Sequence, residues 1–449
     1  MFLLRNFLIN KLESFLLNIS FQLKMSNIVL LHPPFPGKFN GKPLGLVSIA
    51  TALRNVGHEV NFLDLNAKPL LEKELREYIK QSKPDVVGIA STSPTHLAAC
   101  NLARQIKESC DIPIIKGGTH EMYCFQTTLE RHPEIDISVR GPGEDTIVEL
   151  VHALEQHGDL STISGIAYKY NSQVKVTPER PLQKNLDDYP HPDRTLLKSS
   201  DFYNFGIFDG TKTTQVRMSR GCSYGCNFCP IDRTYRFHSA DYVLQELKQI
   251  KEQGYGALFW DDAIFTANRK LLEEVLTRII EEGLEFKMGA QTRADVHINP
   301  KTINLMKRAG FTYLSFGVES GDPQILERYN KRLNLDDVKA AVEQAKEYGI
   351  KVSLTAIVGA PEETLDSVKK TIEVINLIKP DAVSWSAYSI YPGSLLEFDP
   401  LWYEDSNLSK EPIWLNFDEG YQAKHVKEVD YFEQSWEIIK KNIRPEIKI

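Results

Sequence analysis

From Met25 onward the chain alternates short apolar runs with longer segments in which apolar residues recur three and four positions apart. Short continuous runs mark strands buried on both faces, and the three-and-four spacing marks amphipathic helices. The first part of the chain predicts strands at 28–31, 60–64, 86–90, 112–116 and 137–140, with helices at 47–55, 71–81, 97–108 and near 146–156. Strand, helix and strand in this rhythm build a parallel sheet covered on both sides. Five such units predict a doubly wound, flavodoxin-like (Rossmann-like) α/β domain over about residues 25–160.

The span 161–212 reads as a hairpin and linker. Two short β-like runs at 165–170 and 173–177 flank Asn171-Ser172, a turn pair. A polar stretch with Asp187, Asp188, Pro190, Pro192 and Asp193 then suits an interdomain connection. The alternation resumes with strands at 214–218, 257–260, 286–291, 312–318, 352–358 and 382–389, and helices such as 240–253 and 335–348. Six units are too few for an eight-unit barrel. They predict a partial, TIM-type (β/α)6 barrel over 213–395. The tail, 396–449, carries an acidic, aromatic stretch and a helix near 431–442 that would cap the barrel.

Residues 1–24 are rich in Phe, Leu and Ile, but Arg5, Lys11 and Glu13 interrupt them. That breaks the run of about 20 apolar residues that a spanning helix needs, so no transmembrane segment is expected. No small-residue cleavage site follows, which argues against a secretory signal. An amphipathic surface helix is one alternative. A start of translation at Met25 is the other, and we favour it.

Composition narrows the class. Among 449 residues, 42% hydrophobic and 25% charged content is ordinary for a soluble chain of two or three domains. A net charge of −7 gives no basic field for nucleic acid. Six cysteines, three of them in one loop, suit a reducing compartment, and a cytoplasmic location is expected. Cys100, Cys110 and Cys124 fall in segments read as helices, where a thiol behaves as a small buried hydrophobe.

The other three thiols carry the chemistry. Arg220-Gly-Cys222-Ser-Tyr-Gly-Cys226-Asn-Phe-Cys229-Pro230 sets Cys222, Cys226 and Cys229 at Cys-x-x-x-Cys-x-x-Cys spacing, with Gly221 and Gly225 where backbone must crowd. Thiolates bind soft metals and iron–sulfur clusters. A structural zinc closes with four ligands, and the nearest fourth candidate, His238, lies outside zinc-ligand spacing. An odd triplet cannot pair with itself in disulfides.

This loop resembles the signature of the radical S-adenosylmethionine (SAM) superfamily. The resemblance implies a [4Fe-4S] cluster on three cysteines. Its fourth iron would chelate the amino and carboxylate groups of S-adenosyl-L-methionine, and one-electron reduction would release a 5′-deoxyadenosyl radical. It further implies roles for residues at successive strand ends. Asp261 and Asp262, in Trp260-Asp261-Asp262-Ala-Ile-Phe265, would hold the methionyl amino group. Arg293, after Gln291-Thr292, would fork to the carboxylate, and Glu319, in Gly317-Val-Glu-Ser-Gly321, would face the ribose hydroxyls. Ile357 and Gly359, in Ile357-Val-Gly-Ala-Pro-Glu362, would lie beside adenine, while Tyr391-Pro392-Gly393 follows the sixth strand. Phe228 would border the same cofactor, and with Tyr224 and Tyr235 would shield the cluster from water. Each has a plainer alternative: Asp261 and Asp262 as a helix cap, Arg293 and Glu319 as an ion pair, Gly359-Ala-Pro361 as a turn.

The first domain resembles the cobalamin-binding domain that precedes the radical module in one large subfamily. The resemblance rests on the strand-end segments His32-Pro33-Pro34, Ser91-Thr92-Ser93-Pro94, Gly117-Gly118-Thr119-His120 and Gly141-Pro142-Gly143-Glu144. It implies cobalamin contacts at Pro33, Ser91, Thr92, Ser93, Gly117, Gly118, Thr119, Gly141 and Glu144. The Asp-x-His-x-x-Gly sequence that supplies a histidine to cobalt in many such domains is absent; Asp64-Leu65-Asn66 has asparagine at the histidine position. If cobalamin binds, its lower face would lack that histidine.

Together these resemblances cover about residues 27 to 395. They imply a cobalamin-dependent radical SAM methyltransferase acting on a small-molecule substrate, reduced by an electron donor such as flavodoxin or ferredoxin. Alternatives are a cobalamin-independent dehydratase or deoxygenase, epimerase or cyclase with a vestigial first domain, and a non-enzymatic iron–sulfur sensor. Methylthiolation fits less well, because the first domain has no cysteine set for a second cluster.

Overall fold

A computed structural model describes residues 25–35, 41–198, 202–203, 206–296, 298–395 and 429–449. The proposed extension 1–24 and most of the predicted acidic tail lie outside them.

The first sheet is built from β1 (Asn27–His32), β2 (Glu59–Asp64), β3 (Val86–Ala90), β4 (Ile114–Gly117) and β5 (Ile137–Val139), all parallel, followed by the antiparallel pair β6 (Ile166–Tyr170) and β7 (Gln173–Val176). Its order, β2-β1-β3-β4-β5-β6-β7, is the flavodoxin-like order with a hairpin added at one edge. Helices α1 (Leu44–Asn55), α2 (Glu72–Ser82), α3 (His96–Lys107), α4 (Glu121–Arg131) and α5 (Glu144–Glu155) alternate with the strands. The period of two along β1 divides its side chains between the faces. Ile28 and Leu30 pack with Leu53 of α1 and Leu150 of α5, whereas Val29 and Leu31 pack with Ile79 of α2 and Ala103 of α3.

Two expectations change here. The hairpin read as part of the linker is the edge of the first sheet, because β6 finds an open strand edge on β5. Its turn is set by Asn171 and Ser172, at φ of 48° and 62°, the pair of positive φ values that a two-residue hairpin loop needs. Cys110, expected in a helix, lies just past the end of α3 and is only partly buried.

The second sheet has six parallel strands in chain order. They are β8 (Thr213–Val216), β11 (Ala257–Trp260), β12 (Lys287–Thr292), β13 (Phe311–Glu319), β14 (Lys351–Val358) and β15 (Ala382–Ala387). Between β8 and β11 lies a two-stranded ribbon, β9 (Ser219–Arg220) with β10 (Arg236–Phe237). Helices α6 (Ala240–Glu252), α7 (Arg269–Glu281), α8 (Pro300–Ala309), α9 (Pro323–Arg328), α10 (Leu335–Glu347) and α11 (Leu365–Ile378) follow the strands. Trp260, Met288, Leu314, Phe316 and Leu354 are fully buried in its core. Asparagines or threonine cap α7, α8, α10 and α11 through Asn268, Asn299, Asn334 and Thr364, which explains why these helices begin sharply after polar turns.

The last helix, α12 (Val429–Asn442), packs on α11 and adds Phe432 and Ile439 to the same core. Lys448 bridges to Ala382 at the start of β15. The described part of the tail packs beside the last strands of the barrel, and Phe432 reaches Gly359 at the end of β14. Among the described residues no helix is long and apolar enough to cross a membrane.

Candidate active site

The cysteine loop runs from β9 to β10, so an antiparallel ribbon clamps its two ends. Gly221 has φ of +85°, and a Cβ there would stand 2.1 Å from the Thr234 carbonyl oxygen; no other residue fits where the two arms of the loop cross. Cys222 and Cys226 are buried and Cys229 partly so. Burial pushes the Cys229 thiol up, while the Ile231 amide and the Arg233 guanidinium pull the other way. Three thiols carried by one clamped loop are a soft donor set of the kind that holds an iron–sulfur cluster.

The strand ends around the loop differ in how their predicted residues are used. Asp262 is fully buried and accepts hydrogen bonds from the Met218 amide at 3.1 Å and from the Ser219 hydroxyl. Burial raises its carboxyl to about 7. It pins the entry of the cysteine loop to β11. Asp261 instead faces the cleft described below and pairs with Arg217.

Arg293 is buried, forks to Asp295 at 2.9 and 2.8 Å, and covers the Tyr224 ring at 4.1 Å. Its Nη1 is buried with no hydrogen-bond partner, a donor that a carboxylate would satisfy. Glu319 sits on a register shift between β13 and β14 with φ of 72°. It pairs with Lys331 at 2.8 Å and accepts from Thr355 at 3.1 Å. The direct Arg293–Glu319 pair weighed as an alternative does not occur; each has its own counter-ion.

Phe228 and Ile357 meet in one apolar patch with Tyr329 and Tyr388. Phe228 contacts the Tyr329 ring edge-on, at 5.1 Å between centroids. Gly359, at φ of +96°, leaves room for Phe432 of α12, whose ring a Cβ would meet at 2.4 Å.

At the other sheet, Gly117 and Gly118 end β4 under Ser91. Gly118 has φ of +118°, and a Cβ there would stand 2.3 Å from the Ser91 carbonyl oxygen. The Ser91 hydroxyl is buried without a partner, as a polar group awaiting a ligand would be. Thr92 and Thr95 bond each other across a short turn, and Ser93 lies 3.2 Å from His120. Pro33 is buried at the end of β1.

Beneath this edge is an ionic network that sequence reasoning missed. Lys116, fully buried, donates to Glu121 at 2.5 Å and to His96 at 2.7 Å; Ser138 donates to Glu121 at 2.7 Å. Burial first, then Lys116, holds His96 well below the usual histidine range. The available signal was a lysine inside an otherwise apolar strand buried on both faces. Asp64, whose local sequence lacks the expected histidine, is paired through space with His32 at 2.9 Å and accepts from Tyr203 at 2.6 Å.

The two sets of strand ends enclose a cleft of about 990 Å³. Thr119, Gly141 and Glu144 line it from the first sheet, and Arg217, Gly221 and Asp261 from the barrel side. Pro33, Ser91, Thr92, Ser93, Gly117 and Gly118 are not among the residues that line it. Glu144 bonds Arg220 at 2.6 Å, directly joining the fifth strand end to the start of the cysteine loop. Tyr123 of α4 donates to the Pro230 carbonyl at 3.3 Å and packs against Gly393. His238, in the same cleft, is tied to Asp187 at 3.1 Å.

Two family models match the chain: the radical SAM superfamily over residues 216–375 and the B12 binding domain over residues 37–151. An uncharacterized methyltransferase of Pyrococcus horikoshii is 32% identical over 386 residues, covering 83% of each chain. The chain belongs to the B12-binding radical SAM enzymes. An anaerobic magnesium-protoporphyrin IX monomethyl ester cyclase of Rubrivivax gelatinosus is 29% identical, over 79% of this chain and 65% of that one. The fold of this radical SAM enzyme also resembles that of the methyltransferase TsrM from Kitasatospora setae, solved with cobalamin and a [4Fe-4S] cluster. The TM-score there is 0.70 at 18% identity, over 83% of this chain and 77% of that one. The cofactors of its family are SAM, a [4Fe-4S] cluster and cobalamin.

Proposed function

We propose that this enzyme is a cobalamin-dependent radical SAM methyltransferase acting on a small-molecule substrate held in the cleft between the two sheets. Cys222, Cys226 and Cys229 would hold the cluster, leaving one iron to SAM. Arg293, through the unpartnered Nη1, would take the methionyl carboxylate, and the patch of Phe228, Ile357 and Tyr329 would receive the adenine. Thr119, Gly141 and Glu144, which line the cleft, would face the corrinoid from the first sheet, with Ser91, Gly117 and Gly118 shaping the strand ends beside them. When bound, these groups supply a carbon-centred radical and a transferable methyl group.

The chain's own residues bind, orient and shield. Asp262 fixes the loop entry, Glu144 and Arg220 hold the two cofactor sites at a set separation, and Tyr224 and Phe228 exclude water. The single observation that carries the reading is the shared cleft. Residues from both family domains line one space, which a relay from corrinoid to a substrate radical requires.

Cyclisation is a second reading, supported by the cyclase relative. Anaerobic incubation of the reconstituted chain with reductant, SAM, methylcobalamin and candidate substrates separates the two. Methylation predicts 5′-deoxyadenosine together with a product heavier by one methylene. 5′-Deoxyadenosine with a product lighter by hydrogen would favour the cyclase reading. A chain that takes up no corrinoid would overturn the cobalamin assignment.

A further inference from the structure

The cysteine loop is a long segment with little internal secondary structure between the two short strands that clamp it. Few of its own amides close it. Cys229 N–H bonds Cys226 O at 3.2 Å, Cys222 N–H bonds Asp232 O at 2.8 Å, and Asn227 N–H reaches outside to Tyr329 O at 3.0 Å. Three carbonyls of the turn gather on one side chain, while that of Gly225 accepts from Asn330 at 2.8 Å. Arg233 donates from Nη2 to the carbonyl oxygens of Cys226 at 3.1 Å and Cys229 at 2.7 Å, and from Nη1 to that of Tyr224. Two of the three acceptors belong to the cysteines themselves.

Neighbouring arginines are neutralised. Arg217 pairs with Asp261, Arg220 with Glu144 and Arg236 with Asp232. Arg233, which also lines the cleft, has no carboxylate partner among the described residues. Carbonyl dipoles orient it without cancelling its charge.

We propose that Arg233 is the positioning residue of the cluster loop, with two separable effects. Its planar fork ties three carbonyls into the curve that turns the cysteine side chains inward. Its uncompensated charge, bonded to the carbonyls of two of the cysteines, would lie beside a cluster whose net charge becomes more negative on reduction. The potential of such a cluster follows net charge and hydrogen bonding around it. A fixed cation held on the backbone of the ligands, in a partly buried site, would favour the reduced state. The inference rests on the cluster assignment above. It adds that one side chain, outside the three-cysteine pattern, sets both how well the cluster is held and how readily it accepts the electron.

Lysine separates the two effects, because it keeps the charge and loses the fork. Full-length wild type, R233K and R233Q are reconstituted anaerobically with iron and sulfide. Iron per chain and the midpoint potential of the cluster, followed by electron paramagnetic resonance, are then measured. Corrinoid absorbance serves as a control that the first domain is folded. R233Q is expected to hold less than half the wild-type iron, with a potential shifted negative in the clusters that form. R233K should show the same loss of iron while its potential stays near wild type. Wild-type iron and potential in R233Q overturn the proposal. Equal potential shifts in both variants overturn its electrostatic half, and undiminished iron in R233K overturns the fork. A wild-type chain that takes up no cluster overturns the cluster assignment and this inference with it. A wild type that loads normally beside unaffected variants overturns the inference alone.

Discussion

Each sheet of this chain has a core of parallel, helix-covered strands, and both send strand ends toward the same cleft, yet the residues at those ends differ in kind. Around the barrel the ends carry charge and sulfur: Asp261, Asp262, Arg293, Glu319 and the three loop cysteines. On the first sheet small residues and bare backbone lead, at Ser91, Gly117, Gly118 and Gly141; Asp64 and Glu144 add charge at two ends, and more is sunk below in Lys116 and Glu121. The difference fits what each side would meet under the proposed function. A cationic amine, a carboxylate and a metal cluster are matched by side chains of opposite charge or soft sulfur. A large flat corrinoid needs close approach by backbone, which only small residues allow.

The sharpest way to break this division is at Cys226. C226A should abolish cluster iron and lower 5′-deoxyadenosine formation at least a hundredfold. Corrinoid absorbance should stay at the wild-type level, because the first sheet is packed between apolar clusters of its own. Loss of both cofactors together, read from iron analysis and the corrinoid spectrum of one preparation, would show that the two sites form as one unit.

The mirror experiment is at Lys116. Removing one member of a buried ion pair leaves an uncompensated charge, at a cost of about 3–5 kcal/mol. K116M strands Glu121, which Ser138 and Thr128 alone cannot neutralise. Hydrogen exchange should report that loss of protection in β4 and α4, with corrinoid uptake falling and iron loading intact. Equal loss of protection in the barrel strands would mean that the two sheets unfold together.

How these regions could be read beforehand differs for the same reason. The barrel's six strands were legible from pattern alone, and its charged strand ends were singled out by their resemblance to radical SAM segments at successive strand ends. The first sheet's strands were equally clear, but Lys116 was hidden inside a strand, and its partner Glu121 opens the next helix. Pairing at a distance leaves no local mark. His32 meets Asp64 and Arg220 meets Glu144 only after folding. The β6–β7 hairpin was visible as a hairpin, but its place on the edge of β5 depends on which edge the sheet leaves open.

Asp262 gives the barrel a pH dependence that can be tested apart from catalysis. Its carboxyl rises from an ordinary value near 4 to about 7 through burial. Between those values the folded chain therefore binds more protons than the unfolded one, and stability falls as pH rises. Each unit corresponds to roughly 1.4 kcal/mol. The barrel should lose about 2 kcal/mol between pH 5 and pH 7 and then level off. D262N keeps the hydrogen-bond acceptor and lacks the titration, so its unfolding midpoint should change less over that interval. Parallel pH profiles for wild type and D262N would remove Asp262 as the cause.

The smallest expected effect probes the joint between the two regions. Glu144 belongs to the first sheet, Arg220 to the cysteine loop, and their 2.6 Å contact is largely shielded on the Glu144 side and open on the Arg220 side. A partly exposed pair of this kind is worth about 1 kcal/mol. E144Q keeps a hydrogen-bond acceptor and removes the charge, so both cofactors should still load. What should change is their coupling: retention of corrinoid should become less sensitive to whether the cluster is present, a difference of a fewfold in corrinoid dissociation measured with and without iron. If corrinoid dissociation is independent of the cluster in the wild type as well, the contact joins two sites that do not communicate, and the division between the sheets extends to their energetics.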